Sequence, residues 1–282
     1  MNKTAVITGA DGGMGREITK AVAKAGYTTI MASFPSQNAD QVYEKICAEI
    51  NVPLVLHPID LASTKSMDNF VEFVKNNYGH IDLLINNAGV LNPKNKTLED
   101  KWDYTTMVNY FGHYYLTNKL LSSFRQGARI VNVVSLTYRF GAIDEQFFQC
   151  GRNSLLQQIK NYSNSKLALL YYTLDLAEQL KEKQITVNCS DPGIVGTKII
   201  AMNNSIFDII CDVFARPFMK STKNGAKTTI YLALEKNVEK ISGGFFKNTK
   251  QKSVLKRVLK STEREILRKL TQDLLHEKNI LL

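Results

Sequence analysis

The chain has 282 residues, 44% of them hydrophobic, and a formal net charge of +10. It can bury one substantial core, and it lacks the run of about eighteen apolar residues that would mark a membrane-spanning helix. The charge admits anionic partners and selects none; no helix-turn-helix, zinc-finger spacing or aromatic RNA-binding motif is legible, so no specific nucleic-acid role is expected.

Cys47, Cys150, Cys189 and Cys211 are scattered, with no metal-ligand spacing. That predicts no metal site and suits a reducing compartment. The chain runs from Met1 straight into a strand pattern with no signal peptide, so a cytoplasmic location is expected.

The first strand ends in Thr8-Gly9-Ala10-Asp11-Gly12-Gly13-Met14-Gly15, and a helix with Ile18, Ala21, Val22 and Ala25 on one side follows. Strand, glycine-rich turn and helix in this order make a phosphate cradle. Gly9 permits the tight turn, Gly13 lets backbone approach a pyrophosphate, and Gly15 lets helix pack closely on strand. Residues 28–33 predict a second strand, 39–50 a helix and 53–57 a third strand leading to Asp60-Leu61. A helix with Met67, Phe70, Val71 and Val74 comes next, then strands at 81–85, 128–134 and 185–188, with long helices before the last two.

This alternation predicts one α/β domain, a doubly wound Rossmann-type fold with a mostly parallel sheet over residues 1–250. Any ligand would lie at the carboxyl ends of the strands. Residues 251–282 read as a basic amphipathic helical tail, with Ile266, Leu270 and Leu274 repeating every four positions. The tail is expected either to pack on the domain or to touch an anionic membrane surface weakly.

The candidate chemistry falls at those carboxyl ends. Asn86-Asn87-Ala88-Gly89 closes the fourth strand, Ser135 the fifth, and Asp191-Pro192-Gly193 the sixth, with Val195 and Thr197 just beyond. Asn109 lies inside a helical segment that has no need of an amide. Tyr162 and Lys166 are four apart on a helix and share a face. A lysine beside a phenol is expected to bring its pKa down from ~10 toward neutrality, giving a group that can hand a proton to a carbonyl or take one from an alcohol.

Taken together, the Thr8–Gly15 motif, Asn86-Asn87-Ala88-Gly89, Asn109, Ser135, Tyr162 with Lys166, and Pro192-Gly193 with Thr197 resemble a short-chain dehydrogenase/reductase of the classical type. Val108-Asn109-Tyr110-Phe111-Gly112-His113, the long segment before Tyr162 and the stretch from Gly225 to Phe246 resemble the retinol-dehydrogenase-like branch. The resemblance implies an NAD(P)-dependent oxidoreductase that interconverts a small-molecule carbonyl and an alcohol. Tyr162 would be the general acid/base, Ser135 would hold the substrate oxygen, Lys166 would lower the phenol pKa and bind the ribose, and Asn109 would support a proton-relay water.

Gly9, Asp11, Gly13, Met14, Gly15, Ser33, Asp60, Leu61, Asn87, Ala88, Gly89, Tyr162, Lys166, Pro192, Gly193, Val195 and Thr197 would line the cofactor. NADP(H) is favoured over NAD(H), because the second strand ends Ala32-Ser33-Phe34-Pro35-Ser36 with no carboxylate to repel a 2′-phosphate. The family's usual arginine is missing there too. The apolar segments 138–161 and 199–218, the second being the family's substrate lid, suit a lipophilic substrate or simply complete the core. Homo-oligomers are common among relatives and remain open here. A catalytically idle redox sensor or scaffold is the alternative reading, with the complete Ser–Tyr–Lys–Asn set arguing against it.

Overall fold

A computed structural model describes residues 3–91, 98, 102–151, 154–195 and 220–282. Eight strands form one sheet: β1 (Lys3–Thr8), β2 (Tyr27–Ser33), β3 (Leu54–Pro58), β4 (Ile81–Asn86), β5 (Phe124–Val133), β6 (Thr186–Asp191), β7 (Phe245–Lys247) and β8 (Lys250–Lys252). Their order is β3-β2-β1-β4-β5-β6-β7-β8, parallel except for the last pair. Strand order reverses between β1 and β4, which is where a doubly wound sheet opens a crevice for a ligand.

The helices are α1 (Gly13–Lys24), α2 (Gln37–Glu49), α3 (Thr64–Tyr78), α4 (Tyr104–Thr106), α5 (Gly112–Lys119), α6 (Leu155–Gln179), α7 (Thr222–Leu234), α8 (Lys256–Lys260) and α9 (Glu263–Glu277). A π-helical turn at Met107–Phe111 joins α4 to α5.

Side chains alternate across each strand, so neighbours such as Val6 and Ile7 serve opposite cores. Ile7, Met31 and Ile85 pack with Ile18 and Val22 of α1, Val42 and Ile46 of α2, and Leu232 of α7. Val6, Ile30 and Leu84 pack with Phe70 of α3, Leu116 of α5, and Leu167 and Leu170 of α6. Burial on both faces explains the near-continuous apolar runs of β1 and β4.

Two features fall outside the sequence-based expectation. β7 and β8 extend the sheet beyond the sixth strand, and β8 straddles the boundary drawn after residue 250. Each is three residues long and β8 (Lys-Gln-Lys) is fully exposed, so neither carries the alternation that marks a strand. The aromatic segment before α6 also divides. Phe147 and Phe148 are buried against Tyr110, whereas Phe140 and Leu156 are exposed. The second apolar segment, residues 199–218, lies outside the described residues.

In the tail, α9 buries Leu267, Leu274 and Leu275 in the same core as α6, with Ile266 and Leu270 packed at its edge. Thr271 Oγ1 receives the Tyr110 hydroxyl at 2.8 Å while donating to the Leu267 carbonyl at 2.7 Å. Arg264 and Arg268 both pair with Asp175 of α6, and Glu263 accepts from Ile143 N at 3.1 Å and Tyr171 OH at 3.0 Å. The apolar stripe is therefore spent on the core. Contact of this helix with an anionic surface would rest on its basic residues alone.

Candidate active site

β1 delivers the glycine turn. Gly9 has φ +60°, and a Cβ there would lie 2.8 Å from Ala88 Cα. A Cβ on Gly15 would lie 2.1 Å from the Gly9 carbonyl oxygen. Both positions are thus closed to any side chain. Gly12 is the N-cap of α1; it gives no side-chain cap, and the first turn holds no acidic residue. Amide N–H groups at such a helix start suit an anion. Asp11 accepts from Asn38 Nδ2 at 2.9 Å, which ties the turn to the start of α2. Met14 lies against α7, since a Cβ on Gly225 would meet its Sδ at 2.9 Å and Val195 Cγ2 at 2.6 Å.

The ends of β2, β3 and β4 flank this turn. Ser33 is buried at the end of β2, and its hydroxyl has no partner among the described residues. Asp60 Oδ1 accepts from Ala62 N at 2.9 Å, shaping the Asp60-Leu61 turn. Gly112 lets α5 approach that turn, because a Cβ there would lie 2.3 Å from the Leu61 carbonyl oxygen. Asn87 Nδ2 donates to the carbonyls of Thr8 and Gly9 at 3.0 Å each, and its Oδ1 is buried with no partner among the described residues. The site residues fit a dinucleotide: a tight turn that Gly9 and Gly15 allow to pack against the start of α1, a helix start with no side-chain cap, and two buried polar atoms without a partner among the described residues.

The four candidates for proton chemistry lie at the ends of β4 to β6. Asn86 Nδ2 donates to Asn132 Oδ1 at 2.8 Å, and Asn132 Nδ2 donates to Thr173 Oγ1 at 2.9 Å, so a buried polar chain fixes α6 against β4 and β5. Asn109 sits in the π turn. Its amide donates to the Val90 carbonyl at 2.9 Å and Ser165 Oγ at 3.1 Å, and its Oδ1 accepts from Val90 N at 2.8 Å. Every polar atom of that side chain is used. This answers why an amide stands inside a helix.

The Ser135 hydroxyl stands beside the Tyr162 phenol and favours its ionised form, and its Oγ accepts from Thr137 N at 3.3 Å. Lys166 Nζ donates to the Val133 carbonyl at 2.9 Å and lies 5.7 Å from the centre of the Tyr162 ring. Its closeness to Gly89 and Asn109 shows in the space at Gly89: a Cβ there would lie 3.4 Å from Lys166 Nζ and 3.6 Å from Asn109 Oδ1.

The expected lowering of the phenol pKa is not what the chain's own groups produce. Burial pushes Tyr162 up to about 12, with Ser135 lowering it and Asp191 raising it. Burial dominates because it penalises the charged phenolate, and Lys166 is not among the groups that move the phenol. Lys166 is itself pushed down by burial, to about 8.

That shift gives a signed stability prediction. The folded chain resists protonating Lys166 below its ordinary value of 10.5, so a cost is present in full below about pH 8 and fades as pH rises toward 10.5. Relative to Lys166→Met, the wild-type chain should gain about 2 kcal/mol of stability between about pH 7 and about pH 9.5 in urea unfolding. A flat difference across that window would refute the shift.

Pro192 and Gly193 follow β6, with Gly193 at φ +78° and its N–H donating to Asp191 Oδ1 at 3.0 Å. Asp191 is buried and pairs with Lys247 of β7 at 3.3 Å. Lys220 Nζ reaches the Pro192 carbonyl at 3.3 Å. Val195 bridges to Lys220, while Thr197 lies outside the described residues. Sequence reasoning missed Asp191 and Lys220 as supports of this turn, since both depend on partners distant in the chain. His113 likewise has no local mark that sets it apart from the Val108–His113 stretch. That side chain is fully buried between Thr8 and Asn109.

A doubly wound sheet with a glycine-turn phosphate cradle at its switch point defines a dinucleotide-binding architecture. The family model for short chain dehydrogenase matches residues 3–206. Retinol dehydrogenase 14 of Mus musculus is 33% identical over 95% of this chain and 83% of its own. Retinol dehydrogenase 13 of Mus musculus is 32% identical over 89% of this chain and 77% of its own. A solved structure of an uncharacterized protein from Mycobacterium paratuberculosis superposes with a TM-score of 0.74 at 24% identity, covering 96% of this chain and 92% of that one. The chain belongs to the short-chain dehydrogenase family, in its retinol-dehydrogenase-like branch, and is an NAD(P)-dependent oxidoreductase acting on CH–OH groups.

Proposed function

We propose that this enzyme interconverts a lipophilic aldehyde or ketone and its alcohol, with Tyr162 giving the proton in reduction and taking it back in oxidation. The observation that carries the reading is the grouping of Ser135, Tyr162, Lys166 and Asn109 at the ends of β4 to β6, beside the uncapped start of α1. When bound, the nicotinamide supplies the hydride, and in its oxidised form it brings a positive charge. Ser135 holds the substrate oxygen next to the phenol. Tyr162, whose own surroundings keep it protonated through neutral pH, gives its proton to that oxygen. Lys166, on the Val133 carbonyl and near the Tyr162 ring, would hold the cofactor ribose, and Asn109 fixes the backbone at Val90.

The lipophilic substrate rests on two things. The similar curated proteins carry the name retinol dehydrogenase. Phe140, Leu156, Ile159 and Ile194, which border Ser135, Tyr162 and Pro192 along the chain, are half of the eight large apolar side chains exposed among the described residues. NADPH oxidation by retinaldehyde, medium-chain aldehydes and small polar ketones tests it. Higher kcat/KM for the long apolar compounds is expected; preference for the small polar ones refutes it.

For the cofactor we favour NADP(H). The end of β2 carries no carboxylate, and the Ser33 hydroxyl is buried there with no partner among the described residues. Phe34 follows and is 52% exposed, so it can be replaced without disturbing the core. Phe34→Asp should cut kcat/KM for NADPH about tenfold and spare NADH, by repulsion of the 2′-phosphate; Phe34→Arg should raise it for NADPH by a similar factor. Equal effects on both cofactors in steady-state kinetics would contradict the lean.

A further inference from the structure

Thr8 Oγ1 has four polar neighbours. It accepts from the N–H groups of Asn87 and Ala88 at 3.0 Å each, lies 3.4 Å from the Ile85 carbonyl, and lies 3.2 Å from His113 Nε2. The other ring nitrogen, Nδ1, lies 3.2 Å from the Asn109 carbonyl oxygen. A carbonyl only accepts, so Nδ1 carries the hydrogen. Nε2 of the neutral ring is then a lone pair. Thr8, with both of its own lone pairs used by Asn87 and Ala88, turns its one hydroxyl hydrogen to it at 3.2 Å rather than to the Ile85 carbonyl at 3.4 Å, which already accepts from Asn87 N at 3.0 Å. Every polar atom is satisfied in one arrangement and one tautomer. Burial and the nearby Lys166 charge both oppose a second proton, holding the imidazole well below its ordinary value, at about 3.

The groups joined in this way belong to two halves of the site. Thr8 precedes Gly9 and anchors Asn87 and Ala88, which line the cradle. Asn109 is the amide that ties Val90 to Ser165 of the catalytic helix.

We propose that His113 is a positioning residue: a neutral imidazole that couples the cofactor cradle through Thr8 to the Asn109 turn of the proton-transfer site. The inference rests on the dehydrogenase reading above for the meaning of the two halves. The chain of bonds itself does not depend on it.

The two conservative replacements separate the ends of this link. In His113→Asn the side-chain amide can stand where Nδ1 stands and donate to the Asn109 carbonyl, but cannot reach Thr8. In His113→Gln the terminal oxygen can stand where Nε2 stands and accept from Thr8, but the donor to Asn109 is lost. The experiment measures the NADPH dissociation constant by titration without substrate, and kcat with the best carbonyl of the panel, for wild type, both variants and His113→Phe. His113→Asn should weaken NADPH about tenfold and keep kcat within about threefold; His113→Gln should do the reverse; His113→Phe should lose both.

Identical losses in the Asn and Gln variants, or a Phe variant with both parameters intact, overturn the proposal. Circular dichroism establishes that each variant is folded, and if the Phe variant is not, the Asn–Gln contrast decides alone. Absence of turnover in the wild type would count against the dehydrogenase reading, and the NADPH constants would still decide the Thr8 half of the link.

Discussion

Replacing Tyr162 by Phe should lower kcat about a thousandfold while leaving the NADPH dissociation constant within about twofold. The ring stays, so its place on α6 and the contact 5.7 Å from Lys166 Nζ are kept. Only the hydroxyl goes, and with it the atom that faces Ser135. If Tyr162 donates the proton, its loss leaves only the Ser135 hydroxyl, a far weaker acid, at the substrate oxygen. Stopped-flow measurement of NADPH oxidation separates the outcomes. Turnover within about tenfold of wild type would show that the proton comes from elsewhere.

Gly15→Ala should abolish tight cofactor binding, weakening NADPH about a hundredfold, and should destabilise the chain by about 2 kcal/mol. The added Cβ would stand 2.1 Å from the Gly9 carbonyl oxygen and 2.8 Å from Ala10 Cα, and both obstacles are backbone. Relief requires the start of α1 to move away from β1. That displaces the N–H groups meant for the pyrophosphate. Gly9, at φ +60°, cannot absorb the shift because Ala88 closes its other side. Titration with NADPH and a urea melt read the two effects separately. Wild-type affinity in the Gly15→Ala variant would mean that the glycine turn does not hold the cofactor.

Much of this architecture is legible in the amino-acid sequence. Strand–turn–helix at Thr8–Gly15 uses local chemistry, and the apolar runs of β1 and β4 follow from burial on both faces. Tyr162 and Lys166 share a helix face by spacing alone. Long-range features are not legible in the same way. His113 meets Thr8 across 105 residues, and Arg268 meets Asp175 across 93. The π turn at Met107–Phe111 has the same apolar look as the α-helix around it, so nothing local marks the amide of Asn109 as a backbone anchor. β7 and β8 are too short and too polar to show a period. The direction of the Tyr162 shift depends on burial, which a motif does not report. A Tyr–Lys spacing names the pair and leaves open which of charge or desolvation prevails.

The most direct test of the account uses NADPH deuterated at nicotinamide C4, in each of its two stereochemical forms, with the panel aldehyde of highest kcat/KM. Mass spectrometry of the product alcohol, alongside NADPH consumption, reads hydride transfer itself. One of the two labelled forms should leave a single deuterium on the carbinol carbon, one alcohol per NADPH oxidised, with the signal lost in Tyr162→Phe. NADPH oxidation without deuterium in the alcohol, or tight NADPH binding with no product from any carbonyl, would contradict a carbonyl reductase and leave a nucleotide-binding protein without this chemistry.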